Sequence, residues 1–340
     1  MRRHPWRTAL VALLVVLVVG GGVSALLVRR ALDPVQQDPR QQVVVTVTRG
    51  ESLGQLVGTL GRDHLVRSEL VFAVYARVKG LAGRLHPGKF VLDRGMGAAE
   101  LVAVLEGPPS VLPLRVTVPD GLTAHQEGAR LQADGLFSSA SYMQQIDGGH
   151  FAGIAQLPGA PPGASWEGMA YGDTFMVDPH ITAHEFLKLQ LEDFDRRVRR
   201  AILAGSAKVG LTPYQVLVLA SVVEAEAVTR KDRALVAGVF FNRLHRGMPL
   251  QSDVTVIYAM ARAGASQQPF STSFPSPYNT YLHTGLPPGP IDSPGAAAIA
   301  AVLHPTPTAY LYFVSLRNGR MLFAVTAAQH EQQVQQAGLG

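Results

Sequence analysis

The chain has 340 residues, of which 47% are hydrophobic and 16% charged, with a formal net charge of +5 and no cysteine. The missing cysteines exclude a disulfide framework, a thiol nucleophile and any Cys-based zinc site. The modest positive balance lacks the concentrated basic and aromatic surface of a nucleic-acid binder, since its densest cluster, Arg196–Arg200, directly follows Glu192, Asp193 and Asp195 and reads as a mixed-charge helix face.

Ala9 to Val28 is an uncharged run of 20 residues, the length of a helix that spans a bilayer. Arg2, Arg3 and Arg7 precede it, and Arg29 and Arg30 follow it. Positive charge at both ends leaves orientation to the short N-terminal tail, which favours a cytoplasmic start. The run exceeds a signal-peptide core and lacks a clear Ala-x-Ala site, so an uncleaved anchor is expected over a cleaved signal. Asp33 to Gln42 is polar and proline-containing, as in a linker.

A β-branched strand is expected over Gln42–Val47, then a helix from Glu51 to Leu60 and a second one capped by Ser68. His86-Pro-Gly predicts a turn before a short strand, and Gly97–Glu106 a third helix stopped near Gly107-Pro-Pro. The result is a small α+β module. Leu114–Val118 reads as a strand entering the Pro119-Asp-Gly turn, followed by a helix over Thr123–Ala133. Gly148–Ala164, rich in Gly and Pro, is expected to loop over the surface. Ile181–Leu203 predicts one long amphipathic helix.

The next helix carries the most informative residue. None of the twelve residues from Thr212 to Val223 is charged, yet Glu224 follows them directly. Thr212 is placed as N-cap and Pro213 at the first helical position, where its missing N–H costs nothing. A carboxyl group emerging from such a segment is expected to be partly desolvated, an environment that favours the protonated form and suits a proton donor. Ala220 and Ser221 lie on the Glu224 side of the helix and are small enough to leave room for a ligand. Glu226 lies about 200° further round, so the two carboxyl groups point apart. A helix over Asp232–Leu244 follows. The proline-rich, aromatic segment Pro269–Pro294 is long for a compact domain and is expected to wall a groove. Two strands, Tyr310–Ser315 and Met321–Val325, flank an Arg317-Asn-Gly hairpin turn.

Taken together, these segments resemble the YceG-like family of membrane-anchored endolytic murein transglycosylases (MltG type). The resemblance rests on His86-Pro-Gly-Lys-Phe90, Val116-Thr-Val-Pro-Asp-Gly-Leu-Thr123 and Trp166-Glu-Gly-Met-Ala-Tyr-Gly-Asp-Thr-Phe175. More specific are Leu219-Ala-Ser-Val-Val-Glu-Ala-Glu226 and the run from Val239 through Asn242 and Gln251-Ser-Asp253 to Tyr258. Tyr278-Asn-Thr-Tyr-Leu-His-Thr-Gly-Leu-Pro-Pro-Gly-Pro-Ile291 and His304-Pro complete the series. Departures from the family pattern are Asp120 for glutamate, Gly172 and Val254 for proline, and Ala170 for a larger apolar residue.

The resemblance implies an α+β fold: a transmembrane anchor with its short tail over 1–30, a linker over 31–42 and a LysM-like module over 43–110. A catalytic domain over 111–333 and a tail over 334–340 complete it. It implies single-pass anchoring in the cytoplasmic (inner) membrane with the bulk of the chain on the extracytoplasmic side, peptidoglycan strands as substrate, and synthases or division proteins as partners. It also implies that Glu224 is the catalytic acid/base. A lytic transglycosylase needs no second carboxylate, because the sugar's own 6-hydroxyl replaces the attacking water. A hydrolase would need one, with Asp253 or Glu167 the candidates.

The other site candidates each admit two readings. Glu226 is either in an ion pair with Arg230 or Arg243, or a groove contact. Asp253 and Glu167 either tie down their loops or line the groove. Asn242 and Asn279 either bind sugar hydroxyls and acetamides or satisfy backbone groups. Tyr278 and Tyr281 either stack on pyranose faces or pack in the core. The histidines lack metal-binding spacing and no phosphate-loop pattern occurs, so neither a metal nor a cofactor is expected. A non-catalytic glycan-binding scaffold is the remaining alternative.

Overall fold

The computed structural model describes residues 26–35, 42–110, 112–227, 229–316 and 318–338. These form two compact units, one ending at Pro113 and the other beginning at Leu114. Most of the expected anchor lies outside the described residues; Leu26–Val28 are described, in a helix that continues through Leu32. Among the described residues no single helix is long and apolar enough to cross a membrane. One helical pair, Ala183–Val209 with Pro213–Glu226, bent by 97°, has the length and composition. The apolar residues Val216–Val223 of its second member are buried within the fold.

In the first unit, β1 (Gln42–Val47) pairs antiparallel with β2 (Gly88–Asp93), placing Val45 opposite Phe90. Val45 and Val47 point into the core while Val44 and Thr46 face outward, the two-residue period of a half-buried strand. Helix α1 (Leu53–Arg62) starts with a reciprocal Ser52–Gln55 capping box and buries Leu53, Leu56, Val57 and Leu60. Helix α2 (Glu69–Val78) starts at Ser68, whose hydroxyl accepts the Val71 N–H, and buries only Phe72 and Ala76. Helix α3 (Ala98–Glu106) closes the core with Leu101, Val102 and Leu105.

The second unit opens with β3 (Leu114–Thr117), which pairs antiparallel with β4 (Thr174–Val177) across the segment containing α4 (Ala124–Ala133) and α5 (Ser139–Gly148). The single helix expected over Ile181–Leu203 is continuous but not uniform. It runs as α6 (Ala183–Phe194), a π turn over Asp195–Arg199, and α7 (Arg200–Gly205). Around the wide turn, Arg196 and Arg197 both reach the buried Asp193 carboxylate and Arg199 reaches Asp195.

Helix α8 (Pro213–Glu226) is the axis of this unit. Thr212 and Gln215 cap it reciprocally, at 3.2 Å and 2.9 Å, and Pro213 fills the first turn. Tyr214 and every residue from Val216 to Val223 are buried, the pattern of a helix apolar all round. It packs against α9 (Arg230–His245), α10 (Asp253–Arg262) and α11 (Ala296–Leu303). The C-terminal hairpin is β5 (Tyr312–Ser315) with β6 (Met321–Ala324), and α12 (Ala327–Gln336) continues beyond the expected domain end.

Candidate active site

Glu224 stands near the end of α8, where its side chain is 8% exposed. Three chain segments meet it. The first is α9: the chain reverses after Ala227, Thr229 caps the new helix by accepting the Asp232 N–H at 3.1 Å, and Arg233 in its first turn donates to Glu224 Oε1. The second is the start of α11, where the Gly295 N–H donates to Glu224 Oε2 at 3.3 Å. The third is the Pro119-Asp-Gly turn. A Cβ on Gly121, which has φ +78°, would lie 3.3 Å from Glu224 Cγ. The turn and the α11 approach are laced together by Gly121 N–H to Ser293 O at 2.8 Å and Ser293 N–H to Leu122 O at 3.0 Å.

The Glu224 side chain is thus buried, but it is not alone. Arg233 compensates its charge, a partner outside the expected set. Ala220 and Ser221, expected to leave space for ligand, are fully buried. The Ser221 hydroxyl accepts the Ile291 N–H at 3.0 Å and so fastens the proline-rich segment onto α8. Small side chains here admit that loop.

Two further carboxyl groups surround Glu224. Asp120 sits so close to Gly295 that a Cβ there would be 2.0 Å from its Oδ2, and a Cβ on Gly172 would lie 2.9 Å from Asp120 N. Two of the family departures, Asp120 and Gly172, therefore touch. Partial burial first, and then Glu224, push the Asp120 carboxyl up to about 6. Asp292 is buried, and neither carboxyl oxygen has a hydrogen-bond partner among the described residues. Burial, then Glu224, Glu167 and Asp120, hold it well above the usual carboxylate range.

Glu226 faces elsewhere, as the helical period requires. It lines a pocket of about 540 Å³ with Arg243, Asp253, Tyr281, Tyr312 and His330. Of the two readings of Glu226, an ion pair with Arg230 or Arg243 or a groove contact, the structure shows a pocket position and a hydrogen bond from Ser252 Oγ at 2.6 Å. Arg243 is instead spent on the carbonyls of Leu311 and Leu250, at 2.6 Å and 2.7 Å. Burial lifts the Glu226 carboxyl to about 7 despite the Ser252 bond. Asp253 accepts from Tyr281 Oη at 2.6 Å, joining two candidate residues in this second pocket. A larger surface depression, about 620 Å³ around Asp178, His180 and Lys188, contains none of the candidates.

The remaining candidates make contacts within the fold. Glu167 is buried, accepts the Ala124 N–H at 2.9 Å and the Tyr258 hydroxyl, and is lifted to about 7 by burial. Asn279, fully buried, donates to the carbonyls of Thr272 and Phe274 at 2.9 Å and 2.8 Å and accepts the Tyr281 N–H at 2.9 Å. Asn242 donates to the carbonyls of Thr308 and Tyr310 at 2.8 Å and 2.9 Å. Tyr278 packs on Tyr258 with ring centroids 4.9 Å apart. Neither Asp253 nor Glu167 is positioned beside Glu224 as a hydrolytic partner; Asp120 and Asp292 are the carboxyl groups there. Arg233 was the legible omission, since Thr229 and Asp232 mark a helix start that puts it in the first turn.

A model of the YceG-like family matches residues 45–336. The chain is 29% identical over 327 residues to an endolytic murein transglycosylase of Bacillus subtilis, covering 92% of this chain and 89% of that protein. An endolytic murein transglycosylase of Streptococcus pneumoniae is also 29% identical, over 94% of this chain and 63% of its own length. A crystal structure of a YceG-like protein from Listeria monocytogenes aligns with a TM-score of 0.57 and 25% identity, covering 86% of this chain and 99% of that one. With most of its length matched by the family model and the fold shared with a solved member, the chain belongs to the YceG-like family of endolytic murein transglycosylases.

Proposed function

We propose that the chain cleaves peptidoglycan strands internally, between N-acetylmuramic acid and N-acetylglucosamine, leaving 1,6-anhydro ends, with Glu224 as the acid/base. The observation that carries this reading is the convergence on Glu224: a buried helix ends in a carboxyl group met by Arg233, Gly121 and Gly295. In the first step the protonated Glu224 gives its proton to the glycosidic oxygen as the C1–O bond breaks. In the second, the sugar's 6-oxygen attacks C1 and its proton returns to Glu224. No water is consumed, and intramolecular attack supplies the advantage of proximity. Because Arg233 occupies Glu224 Oε1, glycan entry displaces Arg233 from the carboxyl group in this reading.

Under this reading the N-terminal run is a single-pass anchor in the cytoplasmic membrane, the first unit is the LysM-like module, and the second unit works outside the cytoplasm on newly made strands. Glu226, Asp253 and Tyr281 serve as a glycan-contact pocket.

Hydrolysis is the second reading, and Asp120 favours it. Its carboxyl group is partly buried, adjoins Gly295 and feels the Glu224 charge, which makes it the candidate base for an attacking water. Mass analysis of purified murein after digestion separates the two. Anhydro ends, lighter by one water than reducing ends, are expected; reducing ends alone would establish hydrolysis.

A further inference from the structure

Helix α2 carries more apolar surface than the first unit uses. Its sequence, Glu-Leu-Val-Phe-Ala-Val-Tyr-Ala-Arg-Val, has only two charged residues. Phe72 and Ala76 fill the core. Leu70, Val74 and Val78, spaced four apart and therefore on one face, are 76%, 56% and 80% exposed. A helix apolar on both faces is ordinarily buried on both, and a contiguous exposed apolar patch marks a contact surface.

What covers this face is indicated by the segment beside it. Leu70, Val74, Tyr75 and Val78 form an apolar groove of about 370 Å³ together with Val28 and Leu32. Val28 is the last residue of the uncharged run that starts at Ala9. The chain beyond that run is fastened to the first unit. Leu32 packs on its core, and Arg67 donates to the Pro34 carbonyl through Nε at 2.9 Å and Nη2 at 2.6 Å. Leu32 lies four helical steps after Val28, a rise of about 6 Å. The exposed face of α2 is therefore held at the level where the apolar run ends. Cations follow its apolar residues in sequence: Arg29 and Arg30, directly after Val28, are exposed, and Lys79, directly after Val78, has its Nζ 5.7 Å from the Tyr75 ring centroid. An apolar stripe edged by cations suits the boundary between acyl chains and anionic headgroups.

We propose that the Leu70–Val74–Val78 face of α2 is a second membrane contact, seated in the leaflet surface beside the end of the N-terminal run. The inference rests on the reading of that run as a membrane anchor. Two attachments, one spanning and one interfacial, fix the orientation of the first unit on the bilayer where a spanning helix alone leaves it free to rotate.

The cysteine-free chain allows a direct test. The full-length protein carrying Val74→Cys, and separately Leu70→Cys, is labelled with an environment-sensitive fluorophore. It is then reconstituted into vesicles of phosphatidylethanolamine and phosphatidylglycerol. Both labels should show blue-shifted emission, strong quenching by doxyl-labelled lipid, and iodide quenching several-fold weaker than that of the free fluorophore–cysteine adduct. Iodide quenching equal to the free adduct, with no effect of doxyl lipid, would overturn the proposal while leaving the anchor intact. Efficient oxidative cross-linking between two unlabelled Val74→Cys chains, with neither quencher effective on the labelled ones, would assign the face to a second copy and overturn it as well. Release of the unlabelled chain from vesicles by alkaline wash would remove the anchor reading itself, and the inference with it.

Discussion

Glu224 and Arg233 form a short-range ion pair across the junction of α8 and α9, with the two side chains only 8% and 16% exposed. The pair exists because α8 ends at Glu226, Ala227 is extended, and Thr229 starts the next helix so that its first turn faces back. Removing Arg233 leaves a buried carboxylate without its cation. Arg233→Ala is expected to lower stability by about 3–5 kcal/mol, whereas Arg233→Lys retains part of that. Urea unfolding of the two variants, read beside wild type, checks both; equal stability of all three would contradict the pairing.

Gly121 is required by its conformation and by its neighbour. An alanine there must hold φ +78°, which costs about 1–2 kcal/mol for an L-residue, and its methyl would press on Glu224 Cγ from 3.3 Å. Gly121→Ala should therefore lose activity out of proportion to its modest destabilisation. Thermal melts and murein turnover measured together test this; unchanged turnover would remove the turn from the site.

Much of this was legible in the sequence, and the reasons are local. The Thr212 cap, Pro213 and the uncharged run define α8 by themselves, and the helical period alone separates Glu224 from Glu226. Strand β4 has only four residues, and its partner β3 lies across two intervening helices, so no local pattern marks it. Helix α12 has no buried residue and hence no apolar periodicity to read. Asn242 and Asn279 admitted both a sugar-ligand and a backbone-satisfying reading, because an amide serves a sugar and a backbone carbonyl equally well. Only the fold brings Thr308, Tyr310, Thr272 and Phe274 carbonyls to them.

That distinction is itself testable. Asn279→Ala removes the side-chain partner of two part-buried carbonyls and of the Tyr281 N–H, at about 1 kcal/mol for each lost hydrogen bond. The variant should show a clearly reduced denaturation midpoint. An unchanged midpoint accompanied by a raised KM would restore Asn279 as a glycan ligand.

Stability should fall with rising pH across the near-neutral range. Burial raises Glu127 from 4.5 to about 8, and Glu167 and Glu226 from 4.5 to about 7. Between their ordinary values and these raised ones, the folded chain holds protons that the unfolded chain has released. Their stabilising contribution is complete below about pH 4.5 and is lost as pH rises through 7 to 8. The second unit is therefore expected to melt at a higher temperature at pH 5.5 than at pH 8.5. Glu127→Gln should flatten this dependence, most visibly on the alkaline side. A melting temperature that rises from pH 5.5 to 8.5 would contradict the assignment.

The central claim is that Glu224, and not its neighbour on the opposite face of α8, transfers the proton. The most direct measurement compares 1,6-anhydro ends released from purified murein by wild type, Glu224→Gln and Glu226→Gln, with folding of each matched by circular dichroism. Loss of product by at least a hundredfold in Glu224→Gln, with cleavage retained in Glu226→Gln, is the expected result, on the order of the factor that a positioned acid contributes. Undiminished release by Glu224→Gln, or its loss only in Glu226→Gln, would place the chemistry in the Glu226 pocket and contradict the claim.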